Sequence, residues 1–146
     1  YCSSPTDALL TNITFVDRTS KQPKRKVSAT WFTPSRLRFG WMPPHPGVFF
    51  RREIFDEIGF YRLDYLIAAD YEFMVRCFMK NDISFRRLGL ESVKMRLGGT
   101  STRDFSSTKT ITREIVRSCR ENGIYTNWML VMLRLPVKFL LRILNI

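Results

Sequence analysis

The stretch Val48 to Cys77, VFFRREIFDEIGFYRLDYLIAADYEFMVRC, decides what kind of fold this chain adopts. Its first four residues, up to Arg51, are typical of a short buried strand. A two-turn helix is predicted from about Arg52 to Ile58, because Gly59 stands where helices commonly end. A second helix is predicted to begin near Asp70, since apolar residues recur after it at helical spacing. A strand followed by two helices indicates an α/β chain.

Further strands and helices are predicted on both sides of this stretch. Strand-like runs are Asn12 to Asp17, Val27 to Phe32, Ile83 to Leu88 and Ser92 to Leu97. The runs Thr110 to Glu121 and Asn127 to Ile146 have helical patterns. Between the first two strands, residues 18–26 carry five cations and are predicted to form a solvated hairpin loop, with a phosphate-binding or membrane-facing loop as the alternative.

Composition and charge restrict the class of protein. The chain has 146 residues, of which 45% are hydrophobic and 25% charged, so it has a globular composition. Lys and Arg number 24 against 13 Asp and Glu, which gives a net charge of +11. The electrostatic field of a chain with this positive charge attracts anions. Nucleic acid, anionic lipid and phosphorylated small molecules are all compatible ligands.

The three cysteines, Cys2, Cys77 and Cys119, have no CxxC spacing. This pattern argues against a disulfide framework and a zinc cluster, and it favours a reducing compartment. Cys77 lies on a predicted buried helix face, where a small apolar core role is expected rather than that of a nucleophile.

Asp70 is the principal candidate for chemistry. At a helix start its carboxylate could serve as an N-cap for the first amides. Alternatively, Ala68 and Ala69 leave room for a substrate, and Asp70 could act as a general base on a rigid element. Asp70 and Glu72 together could hold a cation, although two carboxylates are weak evidence for a metal site.

Two other segments, the proline-flanked His45 and the glycine-rich turn at 98–101, are further candidates for binding polar ligands. His45 stands between Pro44 and Pro46, so its ring is fixed either for a structural hydrogen bond or for a functional role. The turn Gly98-Gly99-Thr100-Ser101 could cradle a phosphate, or it could be an ordinary exit from a strand.

The C-terminal helix is predicted to be amphipathic. Arg134, Lys138 and Arg142 are four residues apart and form one basic stripe on an otherwise apolar run. Three central cations argue against a membrane-spanning helix. The stripe could contact an anionic membrane surface, or the helix could simply pack on the core.

Together these motifs resemble bacterial family 2 glycosyltransferases. The resemblance rests on four ordered segments, which are PHPGVFFRR at 44–52, FDEIGFY at 55–61, YLIAADYEFMVR at 65–76 and GGTS at 98–101. The family has the GT-A fold and builds surface polysaccharides such as O-antigen. The resemblance therefore implies an α/β fold, the C-terminal half of a GT-A domain, with mixed-sheet strands followed by C-terminal helices.

The resemblance also implies a hexosyltransferase-type reaction and a set of site residues. A nucleotide-sugar donor is attacked in line by an acceptor hydroxyl, and a carboxylate removes the hydroxyl proton. Asp70 falls at the position of that base, and His45 falls at the mouth of the site. Substrate contacts are expected from Arg51, Ala69, Gly98, Gly99, Thr100 and Ser101.

The chain departs from the family in lacking the motif that binds the nucleotide and its metal ion. No Asp-x-Asp motif occurs in the chain, although the family uses one to hold a divalent cation, Mn or Mg, and the diphosphate. The chain thus resembles the acceptor-side half, with residues 1–105 in the catalytic domain and 106–146 as a helical extension. Alone it is expected to be inactive, and its incomplete sheet is expected to need a complementary segment or to associate.

The expected partners follow from the family and the charge. The acceptor is a saccharide or a polyprenyl-diphosphate-linked sugar, and the protein is expected to be cytoplasmic, peripheral at the inner face of the plasma membrane. Two alternatives without catalysis are a basic nucleic-acid-binding module and a membrane-surface adaptor.

Overall fold

The computed structural model of the chain describes residues 6–17, 19, 22–96 and 105–137, with side chains 105 and 106 excepted. The strands are β1 (Ala8–Val16), β2 (Pro23–Val27), β3 (Val48–Phe50) and β4 (Phe85–Arg96). The helices are α1 (Arg52–Ile58), α2 (Ala69–Val75), α3 (Phe105–Glu121) and α4 (Trp128–Met132). Short 3-10 helices cover Pro34–Phe39 and His45–Gly47, and a π-helical turn, Arg76–Lys80, extends α2.

Strand β1 is the centre of a four-stranded mixed sheet. On one edge, its first part pairs antiparallel with β3 and its second part pairs antiparallel with β2. On the other edge, β4 runs parallel to β1 along its whole length. A parallel pair requires a long crossover, and here α1 and α2 lie in that connection. The predicted α/β class and mixed sheet are therefore confirmed for the described residues.

The basic segment near the N-terminus forms a strand, so the prediction of a solvated loop over residues 18–26 is wrong from Pro23 onward. Lys26 pairs with Thr14 and Arg25 with Phe15, whereas the predicted strand at 27–32 contributes only Val27. The Arg25 guanidinium lies 5.0 Å above the Phe15 ring, and the cations face solvent. Cationic side chains are tolerated here because an edge strand leaves them hydrated.

Strand β4 is one continuous strand where two were predicted. Register shifts opposite Asn12 accommodate the residues between the two predicted runs. Within the described ranges, no strand pairs with its outer edge. An open edge of this length agrees with an incomplete sheet, and its dependence on another segment stays a prediction.

The core lies between the sheet and helices α2 and α3. An aromatic cluster fills it, made of Phe32, Phe50, Phe55, Phe73, Phe78 and Phe85, and the partly exposed Tyr61 packs on Phe73 at its edge. Phe49 lies in the strand that was predicted to be buried, but it is 49% exposed, because successive side chains of β3 point to opposite faces. Cys77 is fully buried, which confirms its predicted core position, and burial raises the pKa of its thiol to about 12.

Gly47 lies where the loop carrying His45 crosses β1. A Cβ at this position would stand 2.7 Å from the Thr11 carbonyl oxygen and 2.8 Å from Thr11 Oγ1. We expect Gly47→Ala to lower the free energy of unfolding by about 1–3 kcal/mol, because the backbones must separate. Urea unfolding measures the loss. Gly89→Ala, whose Cβ would meet open space, is the matched control, and equal stabilities for both variants would contradict the close packing at Gly47.

Candidate active site

Asp70 is the second residue of α2, so the interpretation of Asp70 as an N-cap is wrong. Ala68 occupies the N-cap position and Ala69 begins the helix. The half-buried Asp70 carboxylate accepts a hydrogen bond from the backbone N of Tyr71, at 2.7 Å from Oδ1. A carboxylate in the first turn is stabilised by the helix dipole. This placement leaves Oδ2 without a bond to any described residue in the structure.

The loop before Asp70, residues 59–68, is called here the approach loop, and its beginning is tied to the end of α2. Arg76 donates from Nη1 to the Ile58 carbonyl and from Nη2 to the Phe60 carbonyl, both at 2.7 Å. The Arg76 Nε atom binds both carboxylate oxygens of Glu72, at 2.9 and 3.0 Å. Glu72 is fully buried. Its carboxylate therefore orients Arg76 and is not free to hold a cation beside Asp70.

The middle of the approach loop is held by an ionic network with α3. Asp64 accepts hydrogen bonds from Arg62 and Arg117, and Glu121 accepts from the same two arginines and from the Tyr65 hydroxyl. Both guanidinium groups also lie over the Tyr65 ring, at 5.2 and 4.5 Å. The hydrogen bond from Arg62, followed by that from Arg117, holds the pKa of Asp64 far below its usual value. Charges that share partners in this way form a network, which is more effective than isolated surface pairs.

The end of the approach loop is held by Glu114 of α3. Its carboxylate accepts hydrogen bonds from three successive backbone amides, Leu66 at 2.7 Å, Ile67 at 3.0 Å and Ala68 at 2.8 Å. Glu114 is only 6% exposed. Sequence reasoning missed this residue, although an acidic side chain beside Ile115 on the apolar side of α3 was a readable signal.

The outer surface of the approach loop is apolar. Phe60 is 70% exposed, Leu63 97% and Leu66 86%. A rigid loop with three large apolar side chains in solvent is unusual for a surface that has no partner.

Tyr61 of the approach loop contacts the His45 ring, and the charge of Asp70 acts on the Tyr61 hydroxyl. The rings of His45 and Tyr61 meet edge to face, with centroids 6.3 Å apart. Burial, and then the negative charge of Asp70, raises the pKa of Tyr61. The buried His45 Nδ1 atom has no hydrogen-bond partner among the described residues, so the structural-hydrogen-bond alternative gains no support at that nitrogen.

Arg51 is engaged in a structural contact. Its Nη2 atom lies 2.8 Å from Asp7 Oδ1, and its backbone N donates to the Asp7 carbonyl. Asp7 Oδ2 also accepts from the backbone N and the hydroxyl of Ser84, at 2.8 and 2.7 Å. Asp7 thereby joins the starts of β1 and β4 to the end of β3. A substrate contact for Arg51 stays a prediction, while its observed role is to hold the sheet together.

Asp7→Asn is expected to destabilise the fold in a pH-dependent way. The Ser84 hydrogen bonds and the Arg51 charge lower the pKa of Asp7 below its usual 3.8. A lowered native pKa means that the carboxylate stabilises the fold above pH 3.8 and loses this contribution as the pH falls through the native value. We expect Asp7→Asn to lower the free energy of unfolding by about 1 kcal/mol at pH 7, after allowance for the solvent access of the carboxylate. At pH 3 the decrease should be smaller. Urea unfolding at both pH values measures this, with Asp56→Asn on α1 as the control. A loss that did not change with pH would contradict the charge-based account.

The predicted basic stripe does not form as expected at Arg134. Arg134 is 6% exposed and donates to the Gly40 carbonyl at 3.2 Å, and burial lowers its pKa. It follows α4 and packs in the core beside Val131, and its Nη2 atom donates to Thr112 Oγ1 of α3, so it is not available to a membrane surface. Lys138 and Arg142 lie outside the described residues, as do Gly98, Gly99, Thr100 and Ser101.

No helix in the described part of the chain has the length and apolarity needed to cross a bilayer. An open groove of about 420 Å³ lies between α3 and α4, lined by Arg113, Val116, Arg117, Arg120, Glu121 and Trp128. Asp70 does not line this groove. The groove is a basic surface that shares Arg117 and Glu121 with the ionic network holding the approach loop.

Comparison with known proteins gives a partial match to one class of enzyme. The chain is 43% identical over 57 residues to a PGL/p-HBAD biosynthesis glycosyltransferase of Mycobacterium bovis (strain BCG / Pasteur 1173P2). The match to the protein of the same name from Mycobacterium tuberculosis (strain ATCC 25177 / H37Ra) has the same extent. Each match covers 37% of this chain and 22% of the relative, so the chain spans less than a quarter of the length of these relatives. No family model and no solved structure matches the chain.

The relatives in this match are named as glycosyltransferases, and a glycosyl-transfer role for this chain, with a sugar donor and an acceptor, is a proposal. The described four-stranded mixed sheet and its helices form an α/β fold. The GT-A fold, membership of family 2 and the assignment to a C-terminal half stay predictions.

Proposed function

We propose that this chain is the acceptor-side part of an inverting family 2 glycosyltransferase of GT-A fold, with Asp70 as its general base. The observation that carries the proposal is the mounting of Asp70. Asp70 is in the first turn of a helix that follows a loop tied at its start, middle and end, in a chain that matches glycosyltransferases over 57 residues. A general base needs such a fixed position relative to the proton that it removes.

The proposed reaction is a single displacement. The acceptor hydroxyl oxygen forms a bond to the anomeric carbon of the nucleotide sugar while the bond from that carbon to the diphosphate breaks. Asp70 takes the hydroxyl proton, the anomeric configuration inverts, and the nucleoside diphosphate leaves with the bonding electrons. His45 and Tyr61 would form one wall of the acceptor site, since their rings are in contact and the charge of Asp70 acts on Tyr61.

The described residues do not fit a site for the divalent cation that the family uses. No group of three or more His, Cys, Asp or Glu side chains in the described part of the chain could hold a metal ion. Glu72, the nearest acidic neighbour of Asp70 in sequence, is committed to Arg76. We therefore assign no step of this chain's chemistry to a metal, and we place the Mn or Mg ion of the complete enzyme on residues outside the described part.

We further propose that the acceptor is lipid-linked, as a polyprenyl diphosphate at the cytoplasmic face of the plasma membrane. The exposed apolar residues of the approach loop immediately precede Asp70 in the chain, and the net charge of +11 favours anionic headgroups. A loop that entered the interface would bring the candidate base to the acceptor.

The Leu63→Ser/Leu66→Ser double variant tests this acceptor assignment. We expect it to bind vesicles containing anionic phospholipid several-fold more weakly than the unmodified chain, because two exposed leucines no longer enter the bilayer. Vesicle co-sedimentation at constant salt measures the binding. Leu90→Ser on β4, also exposed, is the matched control. Equal binding by all three proteins would contradict a role for the loop, and salt-dependent binding to an oligonucleotide would favour the nucleic-acid alternative.

The function itself is tested by an assay of nucleotide release. The longest polypeptide that contains this sequence is incubated with UDP- and GDP-sugars, Mn²⁺ or Mg²⁺ and lipid-linked acceptors. Acceptor-dependent release of nucleoside diphosphate is the expected result. A polypeptide that binds donor and acceptor but transfers no sugar would overturn the proposed reaction.

A further inference from the structure

We propose that Glu114 is a positioning residue for Asp70, so that helix α3 sets where the candidate base stands. The kinetic part of this inference rests on the proposed function, whereas its structural part does not. Glu114 is 44 positions away from Asp70 in the sequence, and it is the fold that brings them close.

Both carboxylate oxygens of Glu114 accept hydrogen bonds from the end of the approach loop. Three consecutive amides, from Leu66 to Ala68, point at one carboxylate, with Oε1 accepting from the first and Oε2 from the other two. Consecutive amides that converge in this way form an anion-binding concavity. Hydrogen bonds to an ionised acceptor are stronger than neutral ones, and burial of Glu114 keeps water from replacing them.

Two peptide units join Ala68, whose amide is held by Glu114, to Asp70. Ala68 is the N-cap of α2, and its carbonyl accepts the first helical hydrogen bond, from Glu72 N at 3.0 Å. Glu114 therefore fixes the residue from which the helix starts, two positions before Asp70. The Asp70 carboxylate is in turn held by Tyr71 N. A displacement of Ala68 would be passed to the Asp70 carboxylate because no flexible residue separates them.

The rest of α2 is anchored independently of Glu114. Phe73, Met74 and Val75 are fully buried, and Arg76 ties the far end of the helix to the start of the approach loop. Loss of the Glu114 carboxylate is therefore expected to release the start of α2 without unfolding the helix. This separation allows a positioning role to be distinguished from a purely stabilising one.

The kinetic experiment compares Glu114→Asp, Glu114→Gln and Glu114→Ala in the polypeptide used for nucleotide release. We expect kcat to fall about 10- to 100-fold in the Gln variant with KM nearly unchanged, since a misplacement of about 1 Å can cost up to about 100-fold. The Asp variant should recover part of this loss because it keeps the charge. Glu91→Gln, which removes a carboxylate that pairs with Lys26 on the sheet, is the matched control and should keep its kcat. A folded Gln variant with unchanged kcat would overturn the proposal.

The second experiment does not depend on enzymatic activity. Amide hydrogen exchange at residues 66–68 and the NMR chemical shift of the Asp70 carboxyl carbon are measured in this chain and in its Glu114→Gln and Glu91→Gln variants. We expect faster exchange and a shifted Asp70 signal only in the Glu114 variant. An unmoved Asp70 signal would overturn the positioning role even if transfer activity were confirmed. If no transfer were found, a moved signal would still support the structural coupling.

Discussion

Asp70→Asn is expected to reduce sugar transfer by about two to four orders of magnitude while the fold and donor binding persist. The amide has nearly the shape of the carboxylate and can still accept the hydrogen bond from Tyr71 N, so α2 should start at the same residue. It cannot take a proton at neutral pH, and the acceptor hydroxyl must then attack without a base. Nucleotide release measures the transfer, and titration with the donor measures binding.

Asp82→Asn is the matched control for this substitution. Asp82 follows the π-helical turn at the other end of the same helical segment and has a φ of 47°. Asparagine tolerates this left-handed conformation, so the control should retain full activity. If Asp70→Asn kept the activity of the control, Asp70 would not be the base, and the approach loop would be a structural feature only.

Phe73→Ala is expected to have the largest effect on stability, a loss of about 3–5 kcal/mol. Phe73 is fully buried and stacks on Phe55 at 5.1 Å, and it also contacts Phe50 at 5.1 Å and Tyr61 at 4.7 Å. Removal of the ring leaves a cavity that three rigid aromatic neighbours cannot fill. With an m value of about 2 kcal/mol/M, the urea midpoint should fall by roughly 2 M.

Phe49→Ala provides the control for Phe73→Ala, because Phe49 is half exposed on β3. Phe49→Ala should lower the free energy of unfolding far less than Phe73→Ala, since solvent occupies the space that the Phe49 ring leaves. Because domains of this size are only marginally stable, Phe73→Ala could leave a substantial unfolded fraction even without denaturant. Equal midpoints for the two variants would contradict the assignment of Phe73 to the centre of the core.

Local patterns predicted the elements around the candidate site well. The helix over Arg52–Ile58 has the predicted bounds and ends at Gly59, whose φ is 89°. The predicted strand at 48–51 and the helix that begins near Asp70 are also observed. These elements depend on residue spacing and on a terminating glycine, which are properties of neighbouring residues in the sequence.

Charged residues were predicted less well, because their partners are distant in sequence. Lys24 to Lys26 were expected in a loop, yet they lie on an edge strand whose outer side chains stay hydrated. Arg134 was expected on a membrane-facing stripe, yet it is buried against Gly40, 94 positions away. The identity of a charged residue does not reveal whether a carbonyl or a carboxylate elsewhere in the chain will meet it.

The sequence by itself determined the α/β class, the helix that carries Asp70, the apolar role of Cys77 and a glycosyltransferase resemblance that a partial match supports. Only the tertiary structure decided that β4 runs parallel to β1, that Glu72 belongs to Arg76 and that Glu114 holds the amides before Asp70. The physical reason is the range of the interactions. Periodicity and turn preferences act within a few residues, whereas strand pairing and buried hydrogen bonds join groups that only the folded chain brings together.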